Sequence, residues 1–238
     1  MINIDLKKAF DGVDHEFLFK IMEKMGFSQR FISWIKILYN DIQSSVLING
    51  HLGNFFNVNR GVRQGCPLSM ILYVISQEPL YQAKKQTKQI APLDIPCKPI
   101  KLLGYADDTT FFVKSDIGII YVFTLIKHFE IASGIKLNYH KTKIFGFGLW
   151  HGRRYWHYDN IKIESNEITI LGITYANNIN NALEISWSNV ITKIKKKIGM
   201  LMGRKFTIFQ KAVLINVAIL SKVWFIIHSY PLSKNIAI

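Results

Sequence analysis

Acidic side chains are scarce in this sequence: sixteen Asp and Glu stand against thirty Lys and Arg, a net charge of +14 over 238 residues. That imbalance points to an anionic partner, nucleic acid ahead of a membrane surface. Cysteine is almost absent. Cys66 and Cys97 are too few for a disulfide framework or a four-ligand zinc site, so an intracellular compartment is expected. No uninterrupted apolar run reaches the length of a membrane span, since the longest, around Val213 to Ile227, is broken by Asn216, Ser221 and Lys222. The residues after Met1 lack the cationic, apolar and cleavage regions of a signal peptide, and a soluble chain without a membrane partner is expected. Internal repeats and low-complexity tracts are missing as well. Several catalytic signatures also fail. His15-Glu16 is followed by Phe19 where a zinc-protease helix needs its second histidine, and Gly146-Phe-Gly148 by His151 where a dinucleotide fingerprint needs glycine. There is no Gly-Lys-Ser or Gly-Lys-Thr phosphate loop. What is present is a chain 49% apolar and 13% aromatic, long enough to bury a core as one large domain or two small ones.

Ile2, Ile4 and Leu6 alternate with Asn3 and Asp5, which predicts a strand with one buried face and Asp5 on the other. Asp14 is placed to cap a helix from His15 to about Met25 and Gly26 to stop it; Ser28 caps a second, with Phe31, Trp34, Ile35 and Leu38 on one face. Residues 44–48 and 55–58, around Asn49, Gly50 and Gly53, predict a hairpin. The spacing of Leu68, Ile71, Leu72 and Ile75 predicts a helix after Pro67, bent or ended at Pro79. Lys84, Lys85 and Lys88 read as a basic connector into a Pro-rich loop over 92–99. Two β-prone runs, 101–105 and 109–113, put Asp107 and Asp108 at a hairpin tip. A helix over 117–132 follows, then short strands at 144–145, 161–163 and 168–174, and a helical pattern from Ser186 to the end. This order gives an α+β fold, an antiparallel sheet with helices on one face rather than a doubly wound parallel sheet. The change at Ser186 sets the expected boundary between domains 1–185 and 186–238.

Asp107 and Asp108 alone read as a solvated turn. Asp5 changes that reading, because strands of one sheet bring carboxylates distant in sequence to one edge. Like charges gathered there repel, each unit of raised pKa costing about 1.4 kcal/mol, and bound cations are the natural compensation. Hard oxygen donors with no neighbouring His or Cys select Mg²⁺. Two such ions, about 3.5–4 Å apart, activate a hydroxyl and stabilise a leaving phosphate in an in-line displacement. From Ser186 onward there are nine Lys and Arg and no acid, including Lys193, Lys195, Lys196, Lys197, Arg204 and Lys205. Such a stretch neutralises phosphates and makes binding salt-dependent, although scattered lysines also suit a solvated helix face. Residues 150–158 interleave aromatics with Arg153 and Arg154 and read as an irregular insertion, with base stacking the alternative.

Asp5-Leu-Lys-Lys-Ala-Phe10-Asp11, Arg60-Gly-Val-Arg-Gln-Gly-Cys-Pro-Leu-Ser69 and Tyr105-Ala-Asp-Asp108 resemble, in order, the palm motifs of reverse transcriptases. The Arg-Gln-Gly-Cys-Pro-Leu-Ser form resembles the LINE-type, non-LTR retrotransposon branch. Ser133-Gly-Ile-Lys-Leu-Asn-Tyr-His-Lys-Thr142 resembles the next palm motif, Leu171-Gly172 the primer grip, and the remainder a helical thumb, so the resemblance covers essentially the whole chain. It implies a polymerase palm followed by a partial thumb, acting as an RNA-directed DNA polymerase on an RNA template, a DNA primer and dNTPs, in the nucleus. Asp5, Asp107 and Asp108 match the family's metal-binding triad for two Mg²⁺ ions, with Mn²⁺ a substitute. Phe10 falls where the family places an aromatic steric gate against a 2′-hydroxyl; outside that motif it reads as a core aromatic. Gln64 and Gly65 match the contact to incoming nucleotide and template. Arg60 and Arg63 pair with phosphate or stay solvated, Cys66 reads as small and buried, and Asp11 as a turn residue. Lys141 matches a lysine that protonates departing pyrophosphate, or is one exposed lysine among Lys136 and Lys143.

The family places fingers ahead of the first motif, and the chain is expected to be a piece of a longer polyprotein, without endonuclease, zinc knuckle or RNase H site. A catalytically inactive, nucleic-acid-binding remnant of a retrotransposon is the competing expectation.

Overall fold

A computed structural model describes residues 1–93, 99–151, 161–164 and 166–232; Cys97, most of the expected 92–99 loop, and the 152–158 part of the insertion with Arg153 and Arg154 lie outside them. The chain divides into two compact units, the first built on Met1–Ile144 and the second on Phe145 and the described residues from Ile163 onward.

In the first unit β1 (Ile2–Ile4) and β2 (Leu6–Lys7) precede α1 (His15–Lys24) and α2 (Gln29–Tyr39). The expected caps are in place: Asp14 accepts from the Phe17 N–H at 3.0 Å and Ser28 from the Phe31 N–H at 3.3 Å, each satisfying an orphan donor of its helix. The buried stripe of α2 is Ile32 and Ile35, while Trp34 and Leu38 face solvent, which corrects the expected face. Its helix neighbour is α1, and one neighbour covers only a narrow stripe. The expected hairpin holds two nested ladders, β3 (Gln43–Ser44) with β6 (Phe56–Asn57) and β4 (Leu47–Ile48) with β5 (His51–Leu52). Asn49 and Gly50, at φ 50° and 85°, close it with the two left-handed residues a tight hairpin turn requires.

α3 (Pro67–Gln86) carries Pro79 inside it without ending there, because contacts with α1 and with α4 (Asp116–Ser133) hold the helix on either side of the lost hydrogen bond. Between them lies the hairpin of β7 (Leu102–Tyr105) and β8 (Asp108–Phe111). Leu93 bridges to Ile100 just before it. β9 (Lys136–Leu137) pairs with β2, and β10 (Lys143–Phe145) and β11 (Lys162–Glu164) complete an antiparallel sheet of order β11-β10-β1-β8-β7. Asn3, expected on an exposed face, is buried and donates to Thr110 Oγ1 at 3.0 Å. A central strand is covered on both faces, so alternation in β1 marks polarity and not exposure.

In the second unit β12 (Glu167–Ile170) and β13 (Ile173–Ala176) divide the single strand expected over 168–174, turning at Leu171 and Gly172 with φ 51° and 82°. α5 (Ile179–Leu201) runs straight through Ser186, whose hydroxyl accepts from the Thr174 N–H at 3.0 Å, so the pattern change there lies inside a helix and the chain divides after Ile144 instead. α6 (Ile208–Leu214) continues through a π-helical stretch, Ile215–Leu220, into α7 (Ser221–Ile227). Neither Asn216 nor Ser221 breaks this helix, the latter donating its hydroxyl back to the Val217 carbonyl at 2.6 Å. Ile208–Ile227 is therefore one 20-residue helix long and apolar enough, by length and composition alone, to cross a membrane, which corrects the expectation that no run reaches that length.

Lys84 departs most from the sequence reading. Expected in an exposed connector, it sits in the last turn of α3 at 0% exposure, its Nζ 4.5 Å from the Phe111 ring centroid and without a hydrogen-bond partner. Burial, and then repulsion from Lys101, pull its ammonium from 10.5 down to about 6. A desolvated cation–π contact is worth about 2 kcal/mol, less than the several kcal/mol of burying an ammonium, so the neutral amine is the folded form at neutral pH. Between about pH 6 and pH 10.5 the unfolded chain then binds the extra proton, and stability rises with pH across that window. Lys84→Met should raise the Tm at pH 7, with the gain shrinking toward pH 10, as read by scanning calorimetry. A lower Tm at pH 7 would mean that the amine stabilises the core.

Candidate active site

Two features of the first unit build the site. The β1–β8 ladder ends with Ile4 paired to Thr109, and Asp5 and Asp108 are the next residues on the two segments beyond that pair. The β7–β8 hairpin pairs Tyr105 with Asp108 and turns at Ala106, φ 52°, so Asp107 occupies the tip as the sequence predicted. Asp108 is half-buried, and burial, the Asp107 charge and the Asp5 charge, in that order, raise its carboxyl above the ordinary range. Asp108 thus feels the charges of both other acids. Asp5 is also held by Asn138, whose Nδ2 donates to its carboxylate at 2.9 Å and whose N–H donates to its carbonyl at 2.8 Å. Among the described residues no group of three Asp, Glu, His or Cys closes into a ready-made metal site.

The second feature is a backbone strap. Gly61 N–H donates to Val13 O and Val62 N–H to Phe10 O, both at 2.8 Å, tying the segment before α3 to the turn after β2. His15 Nε2 meets Gly61 O at 2.8 Å, and Arg60 lies 3.7 Å from the Asp14 carboxylate. This strap brings motifs fifty residues apart to one open cleft of about 770 Å³, lined among others by Asp5, Phe10, Arg60, Gln64, Asp107 and Lys141. Asp11 faces this cleft and also a neighbouring hollow of about 520 Å³ that Arg63 lines, where Arg63 donates to Gln43 O at 3.4 Å. Gly65, φ 85°, provides the turn into α3.

Cys66, expected buried, is partly exposed at the N-cap of α3. Its thiol is pulled below the ordinary range, first by the Leu68 backbone N–H, with Ser69 and Arg63 adding to the pull. Lys193, Lys195, Lys196, Lys197, Arg204 and Lys205 are all exposed, in the second unit and away from the acids in sequence. Leu171-Gly172 forms a turn there and not the middle of a strand. Sequence reasoning missed two residues. Asn138 lies within the Ser133–Thr142 motif, which was the available signal; Tyr73, stacked on Phe10 with ring centroids 4.4 Å apart, carried none.

Residues 1–175 match the family described as reverse transcriptase (RNA-dependent DNA polymerase). The chain belongs to the reverse transcriptase family. It is 27% identical over 233 residues to the uncharacterised 149 kDa protein of transposon TX1 from Xenopus laevis, covering 94% of this chain and 17% of that protein. It is 28% identical over 119 residues to a Pol polyprotein of retrotransposable element R2 from Popillia japonica, covering 50% of this chain and 20% of that one. These relatives agree with the LINE-type, non-LTR branch read from the motif after Arg60. Telomerase from Candida albicans, solved with a fragment of telomeric RNA, superposes on 74% of this chain and 30% of its own with a TM-score of 0.51 at 15% identity. Candida tropicalis telomerase gives 0.52 at 16% identity, over 74% of this chain and 28% of its own. Over that span the chain thus shares a fold with telomerase.

Gly61 is the residue the strap cannot exchange. At φ 91°, a Cβ there would stand 2.8 Å from the Asp11 Cα and 2.9 Å from its carbonyl oxygen. Gly61→Ala should destabilise the chain by about 1–3 kcal/mol from the backbone conformation alone, with the clash adding to it. Urea unfolding measures this, and an unchanged midpoint would show that the strap shifts freely.

Proposed function

We propose that this chain is the palm and partial thumb of a LINE-type RNA-directed DNA polymerase, extending a DNA primer with dNTPs on an RNA template. The observation that carries this reading is the cleft, onto which the first acid, the aromatic of its motif, the glutamine before α3, the hairpin acid and Lys141 open together.

The donor chemistry suits a divalent cation: three hard-oxygen groups, one of which, Asp108, is raised by burial and then by the charges of the other two. Asp5, Asp107 and Asp108 would hold two Mg²⁺ ions, or Mn²⁺ in their place, which when bound supply Lewis-acid activation of the primer hydroxyl and charge stabilisation at the departing pyrophosphate. Asn138 keeps the Asp5 carboxylate turned toward the cleft. The Phe10 ring excludes a 2′-hydroxyl and so selects deoxynucleotides. Gln64 offers both a donor and an acceptor to the nucleotide, and Gly65 lets the backbone approach it. Lys141 delivers a proton to pyrophosphate, and Arg60 and Arg63 meet phosphate through planar forks. The exposed lysines of α5 with Arg204 and Lys205 hold the primer–template duplex by its phosphates.

Primer extension by the full chain on an RNA template tests the assignment. Extension should depend on Mg²⁺ and fall at least about a hundredfold in Asp108→Asn, the scale expected when a principal electrostatic group is removed. Activity unaffected by that change would remove Asp108 from the site.

The basic surface gives a separate test. Each phosphate contact steepens the fall of log affinity with log salt by about 0.9 on a B-form duplex and about 0.7 on single strands. Replacing Lys195, Lys196 and Lys197 together by alanine should flatten that slope, measured by fluorescence anisotropy on an RNA–DNA hybrid, without changing sequence preference. An identical slope would leave these lysines as a solvated face.

A further inference from the structure

Phe10 belongs to no helix or strand. It lies in the turn that follows β2, where a side chain has the least support from regular structure, yet a residue that judges one hydroxyl group must hold its ring to a fraction of an ångström. Its backbone is fixed by the Val62 N–H on its carbonyl. Its ring is fixed by one flat contact: Tyr73, with centroids 4.4 Å apart and planes inclined by 20°. Tyr73 is 0% exposed and stands on α3, which contacts both α1 and α4, so the ring behind Phe10 belongs to the most enclosed helix of the unit. The Tyr73 hydroxyl is buried without a hydrogen-bond partner among the described residues, and it is the flat face of the ring that meets Phe10.

We propose that Tyr73 is a positioning residue for sugar selection: its ring backs Phe10, so that a 2′-hydroxyl entering the cleft meets a wall that does not yield. This rests on the reading of Phe10 as the gate. A ribose pressing on Phe10 presses through it onto α3, whereas without the second ring Phe10 gains room to tilt, and the ribonucleotide is admitted. The deoxynucleotide, which never touches the wall as closely, is bound as before. Tyr73 touches neither substrate nor acid, and its effect should therefore appear in the ratio of the two sugars and not in general affinity.

The test is competition binding of dCTP and CTP, which differ only in the 2′-hydroxyl, to the full chain with Mg²⁺ and an RNA template–DNA primer, together with thermal melting of each variant. Loss of an aromatic pair should lower the dCTP/CTP affinity ratio by about two- to tenfold in Tyr73→Leu, through tighter CTP binding, while Tyr73→Phe keeps the parent ratio. If the leucine variant does not fold, Tyr73→Met, whose flexible thioether refills the space without a flat face, takes its place with the same expectation. Phe10→Val should lower the ratio too, and adding Tyr73→Leu to it should lower it no further. A parent ratio in both Tyr73→Leu and Tyr73→Met beside a lowered one in Phe10→Val would overturn the role of Tyr73 and leave the gate standing. A ratio lowered equally by Tyr73→Phe would overturn it in favour of the hydroxyl. A parent chain that binds both sugars alike, or an unchanged ratio in Phe10→Val, would overturn the gate and the inference with it.

Discussion

The antiparallel pairing of β1 with β8 is the constraint on which the site depends. It joins Ile2, Asn3 and Ile4 to Phe111, Thr110 and Thr109 across more than a hundred residues of chain, and the Asn3–Thr110 side-chain bond holds its register inside the core. A slip by one residue would exchange the two buried faces of β1, carrying Asn3 away from Thr110 and the isoleucines out of their own packing, so burial fixes the pairing strongly. With the register fixed, Asp5 and Asp108 follow directly beyond the Ile4–Thr109 pair and the β7–β8 tip carries Asp107 to the cleft that Asp5 lines. Burial, and then repulsion from Asp107 and Asp5, raise the Asp108 carboxyl, and this is the local cost of that placement.

α3 bears the other cost. Ser69, Tyr73, Gln77 and Lys84 are buried along it with side-chain polar atoms that have no hydrogen-bond partner among the described residues. Their spacing keeps them close to one face of the helix, so a helix expected to bury a purely apolar stripe instead carries a polar seam. Leu72, Ile75 and Leu80 supply the apolar burial that offsets it. The same helix begins at Cys66, where its free N–H groups act on the thiol, and its second turn supports Phe10. Stability in this unit is thus spent where the cleft wall is made.

The second unit shows why its cations are exposed. Thr174 is its fixed point, its carbonyl accepting from the Tyr230 hydroxyl at 2.8 Å and its N–H donating to Ser186, while Trp187 donates to Pro231 O at 3.0 Å. These contacts, with Ala182 and Val190, bury the first half of α5 only. Beyond Val190, Ile194 still packs against this core, while Lys193 and Lys195 to Lys197 stand in solvent on the rest of the helix surface.

Local signals were legible in the sequence wherever a residue acts on its near neighbours. The caps Asp14 and Ser28, the Asn49-Gly50 turn, the hairpin tip at Asp107 and the family motifs themselves are short-range patterns, and element order, antiparallel pairing and family followed from them. Burial was not legible, because it is set by what arrives from elsewhere in the chain. Asn3 and Lys84 are polar residues enclosed by partners far away in sequence, and Trp34 and Leu38 are apolar residues left exposed, Trp34 with Arg30 of its own helix over its ring. Ser186 marks a change in composition but not in structure, since a helix continues wherever its backbone bonds do. The acids were singled out by type and by the strands expected to carry them, and Phe10 and Gln64 by the motifs that resemble the family's; the strap through Gly61, the hold of Asn138 on Asp5 and the ring of Tyr73 behind Phe10 came only from the tertiary fold. Chemistry of a side chain is written at its own position, whereas its support is a property of contacts between positions, and those exist only once the chain has closed.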